Sequence, residues 1–179
     1  MLHAPKTKVD LGQLNGMDQD DFVCVAGPWF ENSPWVAKRT FARRPFASLD
    51  QLHQKLCETM FAATRKDQLN LIGSHPDLAG NAARPASLTA ESHREQAAAG
   101  LNNLRPDQSD RLRRLNQRYR EKFGFPFVIC ARENKKDAIL EALPRRLEHS
   151  RDEEIQTALI EIGKIARLRM MHANERSAW

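Results

Sequence analysis

The sequence predicts an all-α fold, a single-domain bundle of about seven to eight helices, and three observations predict it. Helix-capping residues recur along the whole chain. Behind them apolar residues step by three and four rather than by two, the period of a helix face. One segment alone, residues 125–130 (Phe-Pro-Phe-Val-Ile-Cys), reads as a short apolar extended run, and a single short strand cannot make a sheet. A length of 179 residues suits one domain with a core of its own.

Taken in order, residues 1–16 carry Gly and Pro with little periodicity and read as a loosely held N-terminal tail; residues 17–174 form the single helical domain. Asp18 caps a short helix bearing Phe22, Val23 and Val25, which Gly27-Pro28 ends. Ser33-Pro34 is an N-cap followed by a proline at the first helical position, and that helix ends near Arg44-Pro45. Ser48-Leu-Asp-Gln51 is a capping box, and Leu49, Leu52, Leu56, Met60 and Ala63 follow at helical spacing.

Residues 73–88 hold Gly73, Pro76, Gly80 and Pro85, so they form turns with at most one helical turn at 76–79. Thr89 opens a helix that Gly100 closes. Asp107 or Ser109 opens another, with Leu112, Leu115 and Tyr119 on one face and Gly124 as its C-cap. Ile139, Ala142 and Leu143 share a stripe in which Pro144 should kink or restart the helix. The last helix begins after Ser150 and carries Ile155, Leu159, Ile162, Ile165 and Ala166.

Composition narrows the function. Hydrophobic residues are 41% and charged residues 28%, which excludes wholesale disorder. No apolar run approaches the roughly 18–20 residues of a membrane span, and residues 1–10 lack the apolar centre of a secretory signal. No membrane partner is expected. Three cysteines at wide spacings, with no CxxC, argue against a disulfide scaffold and a zinc site and fit a reducing compartment, and the ending Ser177-Ala-Trp179, which is not Ser-Lys-Leu, favours a cytoplasmic setting. The six histidines form no metal-ligand pair, so no metal is expected. A net charge of +5 is interleaved with acids at 91–95 and 151–154, which speaks against nucleic acid and for a small anionic ligand.

Three places could carry chemistry. His75 precedes Pro76, which suits the first position of a helical turn; His75 would then sit at an N-cap, where the helix dipole disfavours imidazolium. The plainer alternative is a surface histidine in a turn. Ser92, Glu95 and Gln96 stand at i, i+3 and i+4, so a hydroxyl, a carboxylate and an amide share one helix face, which is either a polar binding surface or an ordinary solvated one. Arg169 continues the apolar stripe of the last helix. A guanidinium there needs an anion or carbonyls, unless it snorkels outward or caps the helix end. Cys130 ends an apolar run and reads as buried filler; His53 and His93 read as solvated.

Three motifs, His75-Pro-Asp-Leu-Ala-Gly80, Leu88-Thr-Ala-Glu-Ser-His-Arg-Glu-Gln96 and Phe123-Gly-Phe-Pro-Phe-Val-Ile-Cys130, closely resemble the 2-oxo-4-hydroxy-4-carboxy-5-ureidoimidazoline (OHCU) decarboxylases. The resemblance extends to Glu31-Asn-Ser-Pro-Trp-Val36, Arg44-Pro-Phe46, Asn116-Gln-Arg-Tyr119 and Leu168-Arg169, and covers roughly residues 18–172. It implies an all-α, cofactor-free and dimeric enzyme that makes (S)-allantoin in urate degradation. It further implies that His75 is catalytic with Glu95 beside it, and that Pro76, Ser92, Gln96, Phe127, Val128, Ile129 and Arg169 bind the ureidoimidazoline substrate. A functional pairing with 5-hydroxyisourate hydrolase belongs to the same expectation. The rival reading is a catalytically silent helical binding or regulatory module on the same fold. That module would tolerate substitutions at the site positions, yet all five polar ones are retained.

Overall fold

A computed structural model describes residues 10–79 and 89–175. Among them are nine α-helices and no strand, so the all-α expectation holds. They are α1 (Leu11–Gly16), α2 (Gln19–Ala26), α3 (Trp35–Thr40), α4 (Leu49–Phe61), α5 (Arg65–Gly73), α6 (Ala90–Ala98), α7 (Pro106–Phe123), α8 (Lys136–Arg146) and α9 (Arg151–Glu175). The chain divides into two units, one of Met1–Asp67 with Gly163–Trp179 and one of Gln68–Ile162.

Most helix ends follow the sequence signals. Asp18 accepts from the Asp21 amide and Thr89 from the Ser92 amide. Ser48 accepts from the Gln51 amide at 3.0 Å, and the Gln51 side chain reaches back to the Ala47 amide at 2.7 Å. Gly124 closes α7 in the left-handed conformation, φ 80°, which glycine adopts without strain.

The first unit corrects the expectation of a loose tail over 1–16. Residues 10–16 are an anchored helix; residues 1–9 lie outside the described ones. Asp10 caps α1, and Leu14 is fully buried. The Asn15 side chain pairs with both the amide and the carbonyl of Phe46, each at 2.9 Å. Arg44 donates to the carbonyls of Asn15 at 3.0 Å and Met17 at 2.6 Å, and lies 3.6 Å over the Phe41 ring. A helix end exposes carbonyls that need donors, and Arg44 supplies them across a long sequence gap. Asn15→Ala should therefore cost about 1–3 kcal/mol of stability, measured by chemical denaturation, because it strands both polar groups of Phe46. A loss below a few tenths of that scale would return α1 to a loose tail.

The same unit gives His53 a role that spacing did not show. Its Nε2 lies 2.8 Å from the Gly163 carbonyl on α9, and a carbonyl only accepts, so this nitrogen carries the proton. His93 is exposed, as expected.

The second unit corrects two further readings. No helical turn forms at Pro76; residues 78–79 are a simple turn, and α5 precedes His75 instead. Pro144 neither ends nor restarts α8, which runs on to Arg146. Proline lacks the N–H that would serve the carbonyl four residues back. That carbonyl, on Leu140, accepts instead from the Arg111 guanidinium at 3.4 Å. Residues 125–130 are buried and non-helical, as read from the sequence.

Candidate active site

His75 lies just beyond the carbonyl end of α5 and is 7% exposed. Its amide donates to Ile72 and its Nδ1 lies 3.0 Å from the Leu71 carbonyl. Because that carbonyl can only accept, Nδ1 carries a proton, and in the neutral ring Nε2 is the basic nitrogen. The N-cap argument thus reverses. The nearest helix end is negative in character, and the ring is held by a backbone bond rather than by a dipole at Pro76. His75 is also no surface histidine.

The segment after His75 is braced from two helices. From α7, the Asn116 amide donates to the Leu78 carbonyl at 2.9 Å, and Arg120 Nε lies 2.9 Å from each Asp77 carboxylate oxygen. From α6, Gln96 Oε1 accepts from the Ala79 amide at 3.0 Å, while its Nε2 is a long 3.5 Å from the Asp77 carbonyl. Ala79 takes φ 46°, an uncommon conformation for a residue with a side chain. Gly80, the last residue of that motif, lies outside the described residues, as does Leu88.

On α6 the three residues singled out by spacing do share a face. Ser92 is 5% exposed, with its hydroxyl 3.1 Å from Thr89 Oγ1; Glu95 and Gln96 are half-buried. Gln96 ties this face to the His75 segment. Its acceptor oxygen is engaged by Ala79, so it has N–H donors rather than an acceptor to offer a ligand.

The apolar run is held by charge. Arg146 donates to the Val128 carbonyl at 2.6 Å and stacks 4.5 Å over the Phe127 ring. It also grips the fully buried Glu154, with Nη2 at 2.8 Å from Oε2 and Nε at 3.0 Å from Oε1. Tyr119 donates to the same carboxylate, and burial together with that neighbour pushes the phenol far above its ordinary range, so it stays a neutral donor. His149 Nδ1 lies 2.7 Å from Glu154 Oε1. At the other end of the run the Cys130 amide donates to Glu161 at 2.8 Å. The Cys130 amide is thus engaged, whereas those of Phe127, Val128 and Ile129 carry no hydrogen bond among the described residues. Burial pushes the Cys130 and Cys57 thiols up to about 11, which suits filler and not nucleophiles.

Arg169 is 6% exposed, so it does not snorkel. Its Nη1 lies 2.9 Å from Glu31, itself 1% exposed, and 3.5 Å from the Pro28 carbonyl. The anion and carbonyl that a buried guanidinium needs come from the protein's own chain. Two separated motif segments meet in this pair.

Sequence reading missed Glu31, Asp77, Asn116, Arg120, Arg146, Glu154 and Glu161. For Asn116 and Arg120 a signal existed, since residues four apart share a face of α7. For Glu31 and Arg169 no local spacing could show the pairing. Among the described residues no group of three His, Cys, Asp or Glu side chains is placed to hold a metal ion. No helix there is long and apolar enough to cross a membrane.

Residues 15–171 match the family model described as OHCU decarboxylase. The 2-oxo-4-hydroxy-4-carboxy-5-ureidoimidazoline decarboxylase of Halalkalicoccus jeotgali is 42% identical, covering 92% of this chain and 91% of its own. The uric acid degradation bifunctional protein of Bacillus sp. strain TB-90 is 41% identical over 89% of this chain but only 31% of its own length. A crystal structure of (S)-allantoin synthase superposes with a TM-score of 0.72 at 24% identity, covering 92% of this chain and 54% of that one, which shows a shared fold.

Proposed function

The chain belongs to the OHCU decarboxylase family, and from that premise we propose how its residues divide the reaction. It is a carbon–carbon lyase of urate degradation that converts 2-oxo-4-hydroxy-4-carboxy-5-ureidoimidazoline to (S)-allantoin. Breaking the bond to the carboxylate leaves an electron pair on the ring, which becomes an enolate-like oxyanion and is quenched by a proton on one ring carbon. The protein must hold that charge and deliver that proton.

The observation that carries the assignment of His75 is its bond to Leu71. It leaves Nε2 as the nitrogen that takes a proton beside the ring hydroxyl and leaving carboxylate and returns it to the ring carbon once carbon dioxide has left. The amides of Phe127, Val128 and Ile129 stabilise the oxyanion as fixed donors. Ser92 and the Gln96 N–H groups hold the ureido arm and ring amide, and Pro76 lines the site beside the histidine. Arg169 holds a substrate carboxylate or carbonyl, since five N–H groups allow one guanidinium to serve Glu31 and a second anion together. Proton delivery to one face sets the S configuration. We further propose a homodimer and a functional pairing with a 5-hydroxyisourate hydrolase. The Bacillus relative, a bifunctional uric acid degradation protein of which this chain spans a part, supports a pairing with some second activity of that degradation.

Circular dichroism of freshly generated substrate tests the reaction. The protein should speed the appearance of one allantoin enantiomer, and a silent binding module would leave the rate unchanged. Since Leu71 already fixes the tautomer of His75, Glu95 is proposed to stabilise the imidazolium. Glu95→Gln should lower turnover by about 10²-fold, with little further loss when combined with His75→Ala, because residues acting as one unit are non-additive. Losses that multiply would separate the two.

A further inference from the structure

The run of 127–129 has no helix or sheet to fix it, yet its amides would have to sit within tenths of an ångström of a developing oxyanion. Something must set the backbone in place. Two buried charges touch it, one within the run and one just after it. Arg146 donates to the Val128 carbonyl at 2.6 Å, and Glu161 accepts from the Cys130 amide at 2.8 Å. The Val128 carbonyl and the Ile129 amide belong to one peptide plane, so a bond that orients the first orients the second.

Arg146 is itself unusually well fixed. Its Nε and Nη2 engage Glu154, its Nη1 engages Val128, and its plane lies over Phe127. Glu154, with no exposed side-chain surface, is anchored in turn by Tyr119 on α7 and by His149. Holding two buried charges together is a costly way to build stability, because apolar replacements of similar volume often do as well or better. A fork that reads one carbonyl and one carboxylate in fixed directions is what such a pair provides and an apolar side chain does not.

We infer that Arg146, clamped on Glu154, is a positioning residue for the decarboxylation: it orients the peptide plane of Val128 and Ile129 whose amide faces the reacting ring. This rests on the reading that the 127–129 amides meet the substrate. Misplacing a preorganised donor should act on the transition state more than on substrate binding, so kcat falls while KM holds.

Two variants test it. Arg146→Lys keeps a charge for Glu154 but loses the fork. Arg146→Met with Glu154→Gln removes both charges, so no buried ion is left alone and the fold survives. In each folded variant kcat should fall by about 10²-fold, the cost of one lost oxyanion donor, with KM within about threefold of wild type. A purely structural role predicts the opposite: a changed melting temperature with wild-type kcat in whatever fraction is folded, and that result overturns the inference. A second measurement separates its failure from failure of the underlying reading. Amide NMR shifts of Phe127, Val128 and Ile129 are followed as (S)-allantoin is added to wild-type protein. Shifts at these amides together with unchanged kcat in the variants sink Arg146 alone; no shifts sink the placement of substrate on this run and the inference with it.

Discussion

His75→Ala should lower turnover by about 10²–10⁴-fold, the usual range for losing a positioned acid–base group. The ring carries one proton on Nδ1 toward Leu71, and what alanine removes is the basic Nε2. The variant should also be less stable, by about 0.5–3 kcal/mol, since it empties the place of a buried ring, although the Leu71 carbonyl keeps the Ser74 hydroxyl at 2.7 Å. The two effects separate at a temperature where the variant is fully folded. His75→Asn sharpens the test: its amide can still donate toward the carbonyl, so stability should recover more than activity does. A folded alanine variant that keeps more than about a third of wild-type turnover removes the histidine from catalysis.

Arg169→Met should destabilise the protein by about 3–5 kcal/mol, because it breaks a buried ion pair with the Glu31 carboxylate. For a chain of this size that is a fall in Tm of roughly 6–20 °C. Spacing alone pointed the other way, since a buried arginine without a protein partner would be relieved by its removal. Glu31 reverses the sign. Arg169→Met combined with Glu31→Leu should recover most of the lost stability, as paired apolar replacements of ion pairs commonly do, yet should still bind substrate poorly. Arg169→Lys should recover only part of either property, since an ammonium lacks the planar set of donors. If the single variant melts with wild-type protein, the pair does not hold the fold. If the double variant binds substrate normally, the arginine does not hold substrate.

What the sequence disclosed was local chemistry. Asp18, Ser48, Thr89 and Gly124 mark helix ends by hydrogen bonds that span three or four residues, and such signals survive without any knowledge of the fold. Helix α5 had such a signal too, in the bond from the Asp67 amide to Thr64, but spacing assigns residues 64–72 to no element between the helix from Ser48 and the turns of 73–88. Helix α1 is six residues long and owes its place to Arg44 and Phe46, far along the chain, so no nearby pattern could disclose it. The candidate site divides in the same manner. Ser92, Glu95 and Gln96 were legible as a helix face. The Arg146 fork and the Glu31 partner of Arg169 arise only when separated segments meet, and the carbonyl under His75 only when α5 runs up to it.

The turn after His75 has a consequence for how the protein lives as well as how it reacts. Ala79 sits in a conformation that its own side chain disfavours, with its amide on the Gln96 side chain. Left to itself the segment would relax toward another shape, so its working shape is lent to it by α6 and α7. A strained element of this kind opens more cheaply than the core around it. Warming would therefore silence the enzyme through a local opening at 76–79 before the helices melt, and the heat tolerance of activity would follow Gln96, Asn116 and Arg120 rather than the buried core.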